Sequence, residues 1–128
     1  MIKAGDVYRI KMDNKDGITP KDADEYRCKY IIILGYDGDS FYGAVATNTK
    51  DHPLVPAAFQ YPIELNKYKC FANCYKLHEV SEKRLTKDCY MGNISEEDIE
   101  LIIGCVKTSP MISRKTLEKF RIIKEENN

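Results

Sequence analysis

Tyr30-Ile31-Ile32-Ile33-Leu34 is the longest apolar run in this chain of 128 residues. Three adjacent isoleucines are typical of a strand that is buried on both faces. The turn Asp37-Gly38-Asp39 follows it, and Ser40 to Thr47 again has strand character, so the two segments predict an antiparallel hairpin. Gly35 and Gly43 lie inside the two strands, where glycine is typical of a bulge, a sharp bend or a close backbone approach. The stretch therefore predicts a strongly bent sheet.

Further strands are expected on both sides of this hairpin. Upstream, apolar and polar residues alternate approximately from Val7 to Met12. Downstream, residues 61–65 predict a short strand that Pro62 places at an edge of the sheet, and residues 70–77 and 79–85 predict two more. Polar segments at residues 13–24 and 48–58 are expected to be long loops. Together the segments predict five to seven strands.

Two helix starts follow the strands. Ser95 precedes three acidic residues, and Ser113 precedes a second, shorter pattern, so both serines are predicted to be helix N-caps. Pro110 is expected to end the first helix. The apolar stripes predicted to face the core are Ile99, Ile102, Ile103 and Val106 in the first helix and Leu117, Phe120 and Ile123 in the second. The fold class is thus mainly β with C-terminal helices (α+β), one domain over residues 1–128 with a sheet from about 5 to 92 and helices from about 95 to 124.

Composition limits the possible functions. Twenty basic residues balance twenty acidic ones, so a duplex-DNA binder that depends on counterion release is disfavoured, whereas a local groove for single-stranded RNA is compatible. The chain starts without an apolar signal segment and has an odd number of cysteines, which predicts reduced thiols, a cytoplasmic location and no membrane contact. We expect no metal site and interpret the cysteines as small buried hydrophobic residues; they are Cys28, Cys70, Cys74, Cys89 and Cys105.

The order and spacing of four segments resemble those of the PemK/MazF-like growth-inhibitor toxins of toxin–antitoxin systems. The segments are Gly5-Asp6-Val7-Tyr8, Lys29-Tyr30-Ile31-Ile32-Ile33-Leu34, Gly43-Ala44-Val45-Ala46-Thr47 and Gly92-Asn93-Ile94-Ser95-Glu96-Glu97. The resemblance implies an SH3-like barrel of five to seven antiparallel strands. It also implies a homodimer that is neutralised by a cognate antitoxin protein and cleaves single-stranded RNA, without metal or cofactor, by attack of the substrate's own 2′-OH.

The resemblance also implies site residues. The family's catalytic arginine, which precedes the apolar second strand, falls on Lys29, while Arg27 lies two residues earlier on the same face of an extended strand. Which of the two supplies the positive charge stays open, because lysine lacks the bidentate geometry of arginine. The family's hydroxyl residue falls on Thr47, and Thr49 lies two residues later, on the same face of an extended strand. RNA-binding residues are predicted in the two long loops and beside them, namely Asp16, Thr19, Lys21, Tyr26, Asn48 and Lys50.

An alternative function is a catalytically inactive barrel that binds protein or RNA. Lys29 in place of the family arginine and the zero net charge both favour it. His78 beside Glu79 suggests a general base, but neighbouring residues of a strand point to opposite faces, so we predict a structural role for His78.

Overall fold

A computed structural model describes residues 1–20, 25–47 and 55–124 of the chain. In this part the chain forms seven strands: β1 (Asp6–Met12), β2 (Arg27–Asp37), β3 (Ser40–Thr47), β4 (Gln60–Leu65), β5 (Tyr68–Asn73), β6 (His78–Ser81) and β7 (Tyr90–Asn93). Two α-helices follow them, α1 (Glu96–Lys107) and α2 (Arg114–Lys119). The predicted class, mainly β with C-terminal helices, is confirmed.

All seven strands belong to one curled antiparallel sheet. Six of them follow the order β4-β5-β3-β2-β1-β7, and β6 pairs with β3 outside this order. The strand β3 has two partners along one edge, because Ser40–Gly43 pair with β6 and Ala46–Thr47 pair with β5. Because β5 and β6 pair with different parts of the same edge of β3, the sheet curls at this strand. The strand β4 ends the described sheet on one side, as Pro62 predicts.

The central strand β2 is buried on both faces, as its apolar run predicts. Ile32 and Leu34 lie in a core that includes residues of α1 and α2, such as Ile102 and Leu117. Ile31 and Ile33 lie in a second core with the alternate residues of β1. Because the two cores lie on opposite faces of β2, the sheet is covered on both sides at its centre.

The two strand glycines mark places where another backbone comes close. The pairing of β2 with β3 shifts register between Ile33 and Gly35, which places a bulge there. A Cβ atom on Gly35 would collide with the carbonyl oxygen of Phe120, and one on Gly43 would collide with the carbonyl oxygen of Ile32. The predicted bend and close approach are confirmed.

Both helix starts are confirmed by their hydrogen bonds. The Oγ of Ser95 accepts from the backbone N–H of Asp98 at 3.1 Å, and the Oγ of Ser113 accepts from that of Thr116 at 3.1 Å. The helix α1 ends at Lys107, earlier than Pro110 predicts, because Thr108 already caps it with its N–H on the carbonyls of Cys105 and Val106.

The later strands differ from the prediction in extent. The strand β5 begins at Tyr68, not at residue 70, because Asn66 and Lys67 both adopt positive φ and close a two-residue hairpin turn. The predicted strand over 79–85 is wrong in its second half, where a 3₁₀ turn at Glu82–Arg84 replaces it. The strand β7 pairs with β1 and ends the described sheet on the side opposite to β4.

Candidate functional site

A cavity of about 390 Å³ opens at one end of the sheet. The last pair between β2 and β3 is Tyr30 with Ala46, and β3 pairs with β5 only as far as Thr47 with Phe71. Both β2 and β5 extend beyond this point, to Arg27 and Tyr68 respectively. The cavity lies between these extensions and is lined by Arg27, Cys28, Lys29, Tyr30, Ala46, Thr47, Leu65, Tyr68, Lys69 and Cys70.

Three of the predicted catalytic residues line this cavity together: Arg27, Lys29 and Thr47. Arg27 pairs with Met12 and Lys29 with Ile10, which places both cations on one face of the sheet. All three side chains are half-buried. Since both Arg27 and Lys29 line the cavity, the choice between them stays open. The fourth predicted catalytic residue, Thr49, lies outside the described residues.

All charged side chains among the described residues that line the cavity are cationic. Arg27, Lys29 and Lys69 contribute three cations, and no Asp, Glu or His is among the described lining residues. A recess with charges of one sign and low-dielectric walls concentrates counter-ions. Guanidinium and ammonium groups are the donors that bind phosphate oxygens most strongly. The arrangement therefore suits an anion, and a phosphate in particular.

Apolar and aromatic groups complete the cavity. Tyr68 is 76% exposed at the start of β5, and Tyr30 is half-buried at the opposite wall. Aromatic rings beside a cationic groove are the usual platform for the bases of a single strand. Burial raises the pKa of the Cys70 thiol, which keeps it protonated and disfavours it as a nucleophile.

A second, smaller pocket of about 60 Å³ adjoins the cavity, and Lys29 and Thr47 line both. Its other lining residues are Ile18, Val45, Val55, Gln60, Phe71, Ala72, Asn73 and His78. The side-chain oxygen Oε1 of Gln60 is buried and has no hydrogen-bond partner.

Asp16, a predicted RNA-binding residue, is held by Arg84. The two Arg84 nitrogens donate to the two carboxylate oxygens at 2.7 and 3.1 Å. This hydrogen bonding lowers the pKa of Asp16. The carbonyl oxygen of Asp16 lies 2.9 Å from Nδ1 of His78, a buried residue whose pKa burial lowers. His78 thus links β6 to the segment between β1 and β2, in agreement with the structural role predicted for it.

The remaining predicted RNA-binding residues lie apart from the cavity lining or outside the described residues. The ammonium of Lys11 lies 4.6 Å from the ring centroid of Tyr26, and Thr19 is exposed. Lys21, Asn48 and Lys50 fall outside the described residues. Contact of any of these residues with RNA stays a prediction.

Several lining residues were missed from the sequence. Lys69 and Tyr68 reach the cavity because the turn Asn66-Lys67 starts β5 two residues early. An Asn in a two-residue loop between strands is a signal that could have placed this turn. Gln60 and Asn73 form a cross-strand pair in β4 and β5, and no sequence signal connects that pair with Lys29.

No three His, Cys, Asp or Glu side chains among the described residues are grouped so that they could hold a metal ion. No helix in the described part of the chain is long and apolar enough to cross a membrane. Comparison of the chain with protein-family models and with curated protein sequences finds no match.

Proposed function

We propose that this protein is an SH3-like barrel of the PemK/MazF type and a metal-independent endoribonuclease that cleaves single-stranded RNA in the cytoplasm. The observation that supports the proposal is the joint position of Arg27, Lys29, Lys69 and Thr47 on one cavity. The curled antiparallel sheet and the helices after it agree with such a barrel. In this proposal the protein acts as a homodimer and is neutralised by a cognate antitoxin protein.

The proposed reaction is an internal transfer at one phosphate. The 2′-oxygen attacks the adjacent phosphorus, the bond to the 5′-oxygen breaks, and the products carry a 2′,3′-cyclic phosphate and a 5′-hydroxyl. Negative charge grows on the non-bridging oxygens, and preorganised cations stabilise it most where water is excluded. We assign this stabilisation to Arg27 and Lys29, which are half-buried.

Proton transfer requires two further roles. The leaving 5′-oxygen must receive a proton, which the ammonium group of Lys69 or Lys29 supplies in this proposal. The 2′-hydroxyl must lose a proton, and we assign its uptake to solvent. The hydroxyl of Thr47 would orient the reacting phosphate, because hydroxyl groups both donate and accept.

Cleavage of a labelled RNA oligomer tests the proposal. We expect wild type to leave 2′,3′-cyclic phosphate ends in the presence of EDTA. Removal of one preorganised donor in known enzymes costs about 10²- to 10³-fold in rate, and we expect a loss of that order for Arg27→Ala or Lys29→Ala. The matched control is Lys107→Ala, which removes an exposed cation at the end of α1 and should leave the rate unchanged.

A second candidate function is a binding module without catalysis. It is favoured because no described lining residue is a carboxylate or a histidine, the groups that most often accept a proton near neutral pH. RNA that is bound by wild type, released by Arg27→Ala and never cleaved would identify this function. A wild-type protein that neither binds nor cleaves single-stranded RNA would contradict both candidates.

A further inference from the structure

We infer that Tyr68 is a base-binding residue of the RNA site, and that its ring stacks on a base of the strand whose phosphate is held by the cations of the larger cavity. This inference rests on the proposed function, because it assigns how that site holds a nucleotide. The cavity is lined by three cations and by two tyrosines, Tyr30 and Tyr68. Their positions in the sheet indicate which part of a nucleotide each would contact.

Strand register places the three cations on one face of the sheet. Arg27 and Lys29 lie on the face that carries the second core, because their partners in β1 belong to that core. Lys69 directly precedes Cys70, which belongs to the core that includes residues of the helices. Successive side chains of a strand point to opposite faces, so Lys69 shares the face of Arg27 and Lys29.

The two tyrosines lie on the opposite face. Tyr68 pairs with Leu65, and directly paired residues of antiparallel strands share a face. Leu65 belongs to the core that includes residues of the helices, and Tyr30 packs against the same core. The lining of the cavity is therefore cationic on one face of the sheet and aromatic on the other.

The cavity connects these two faces at the end of β3. In the described part of the chain, the pairs of β3 with β2 and β5 end at Ala46 and Thr47, while β2 and β5 extend further. Neighbouring strands lie about 5 Å apart, so two strands that flank a third are separated by about 10 Å. A nucleotide has an anionic phosphate at one end and a flat base at the other. A strand bound in this space can thus contact the cations with its phosphate and a tyrosine ring with its base.

The ring of Tyr68 is free to accept a stacked base. It is 76% exposed, whereas the other exposed tyrosines of the described residues are 42–46% exposed. Each of those others contacts a ring or a cation; they are Tyr26, Tyr36 and Tyr90. No such contact is observed for Tyr68 within the described ranges. A base stacked on this ring would remove apolar surface of both partners from water.

The hairpin of β4 and β5 fixes the position of this ring before a strand binds. Asn66 and Lys67 both adopt positive φ, as a tight two-residue turn between strands requires. The pair of Leu65 with Tyr68 closes this turn, and the register continues to the pair of Gln60 with Asn73. A tyrosine has only two side-chain torsions to order. A ring on such a hairpin therefore loses little conformational entropy when a base stacks on it.

Binding of two labelled hexamers of equal charge tests the inference. One carries uracil at every position, and the other has the same backbone with every base replaced by hydrogen. Both contain deoxyribose, so neither can be cleaved through a 2′-OH. Stacking on one aromatic side chain strengthens binding by roughly 5- to 150-fold. We expect wild type to bind the uracil hexamer more tightly than the abasic hexamer by at least a factor in this range, as measured by fluorescence anisotropy.

Variants of Tyr68 separate stacking from charge. Tyr68→Ala should weaken the uracil hexamer by roughly 5- to 150-fold and leave the abasic hexamer unchanged, while Tyr68→Phe keeps a ring and should retain the preference. Lys69→Ala removes a cation of the cavity and should weaken both hexamers by the same factor. The matched control is Tyr36→Ala, which removes a tyrosine that is 46% exposed near the other end of β2. It should change the binding of neither hexamer.

The outcomes distinguish the inference from the function on which it rests. Equal binding of the two hexamers by wild type, or an unchanged preference in Tyr68→Ala, would overturn the inference. If wild type still left 2′,3′-cyclic phosphate ends on RNA in those cases, the proposed function would stand without a stacking role for Tyr68. If wild type bound neither hexamer and cleaved no RNA, both would be wrong. Far-UV circular dichroism of each variant confirms that a lost preference does not come from unfolding.

Discussion

Gly35→Ala should destabilise the protein strongly, although it adds only one methyl group. A Cβ at this position would collide with the carbonyl oxygen of Phe120 and would lie 2.7 Å from Cγ1 of Ile122. The N–H of Tyr36 also donates to that carbonyl at 2.8 Å, so the segment after α2 cannot retreat without breaking a hydrogen bond. The bulge in β2 and the C-terminal segment would have to separate.

The expected magnitude follows from these two contacts. Overpacking of a tight interior site costs about 1–3 kcal/mol, and the loss of a backbone hydrogen bond costs about 1 kcal/mol. We therefore expect the free energy of unfolding to fall by about 2–4 kcal/mol, a large part of the roughly 5–15 kcal/mol typical of a domain. Urea unfolding followed by circular dichroism measures this change.

A matched glycine variant controls for the added methyl group. A Cβ on Gly104 would meet no atom within 4 Å, and Gly104 is exposed in α1. Gly104→Ala should raise the free energy of unfolding by up to about 1 kcal/mol, because alanine favours the helix. If Gly35→Ala instead stayed within the roughly 0.5 kcal/mol typical of surface changes, the contact between Phe120 and β2 would be refuted.

Two further predictions concern the ion pair and the histidine next to the first loop. Arg84→Met should lower the free energy of unfolding by about 1–2 kcal/mol, because it removes two charged hydrogen bonds from Asp16 at a site only partly screened by solvent. The control Arg114→Met breaks an exposed pair with Glu118 and should lower the free energy of unfolding, measured by urea unfolding, by no more than about 0.5 kcal/mol. Equal losses in the two variants would contradict a stabilising role of the pair between Arg84 and Asp16. His78 should make the protein less stable as the pH falls below about 6.5, since the unfolded imidazole takes up a proton there while burial lowers the pKa of the folded one. In a protein that also carries His52→Gln, the substitution His78→Asn should abolish this fall in the free energy of unfolding between pH 7.5 and 5. An unchanged pH profile would contradict the prediction.

Local patterns were sufficient to predict the centre of the fold. The apolar run of β2, the turn at residues 37–39 and the serine caps at Ser95 and Ser113 each depend on neighbours in sequence, and all are confirmed. The resemblance placed Lys29 and Thr47 at one site, and both line one cavity. In β2, in the turn at residues 37–39 and at the two serine caps, residues that are close in sequence determine the conformation.

The elements that were missed depend on distant pairing. The strand β7 has only four residues and forms by pairing with β1 at the other end of the chain. The strand β3 divides its edge between β5 and β6, and alternation within a strand does not determine which strand becomes its neighbour. For the same reason the sequence did not predict that Gln60 and Asn73 would lie beside Lys29.

The two pockets at the end of β3 differ in the residues that line them. Arg27 and Lys69 line only the larger cavity, Gln60 and His78 line only the smaller pocket, and Lys29 and Thr47 line both. In the proposed function the larger cavity neutralises phosphate charge, an interaction that is insensitive to sequence and weakens with salt. RNA binding that depends on Arg27 and Lys69 should therefore weaken as the salt concentration rises, and binding that is independent of salt would contradict the proposed role of these cations.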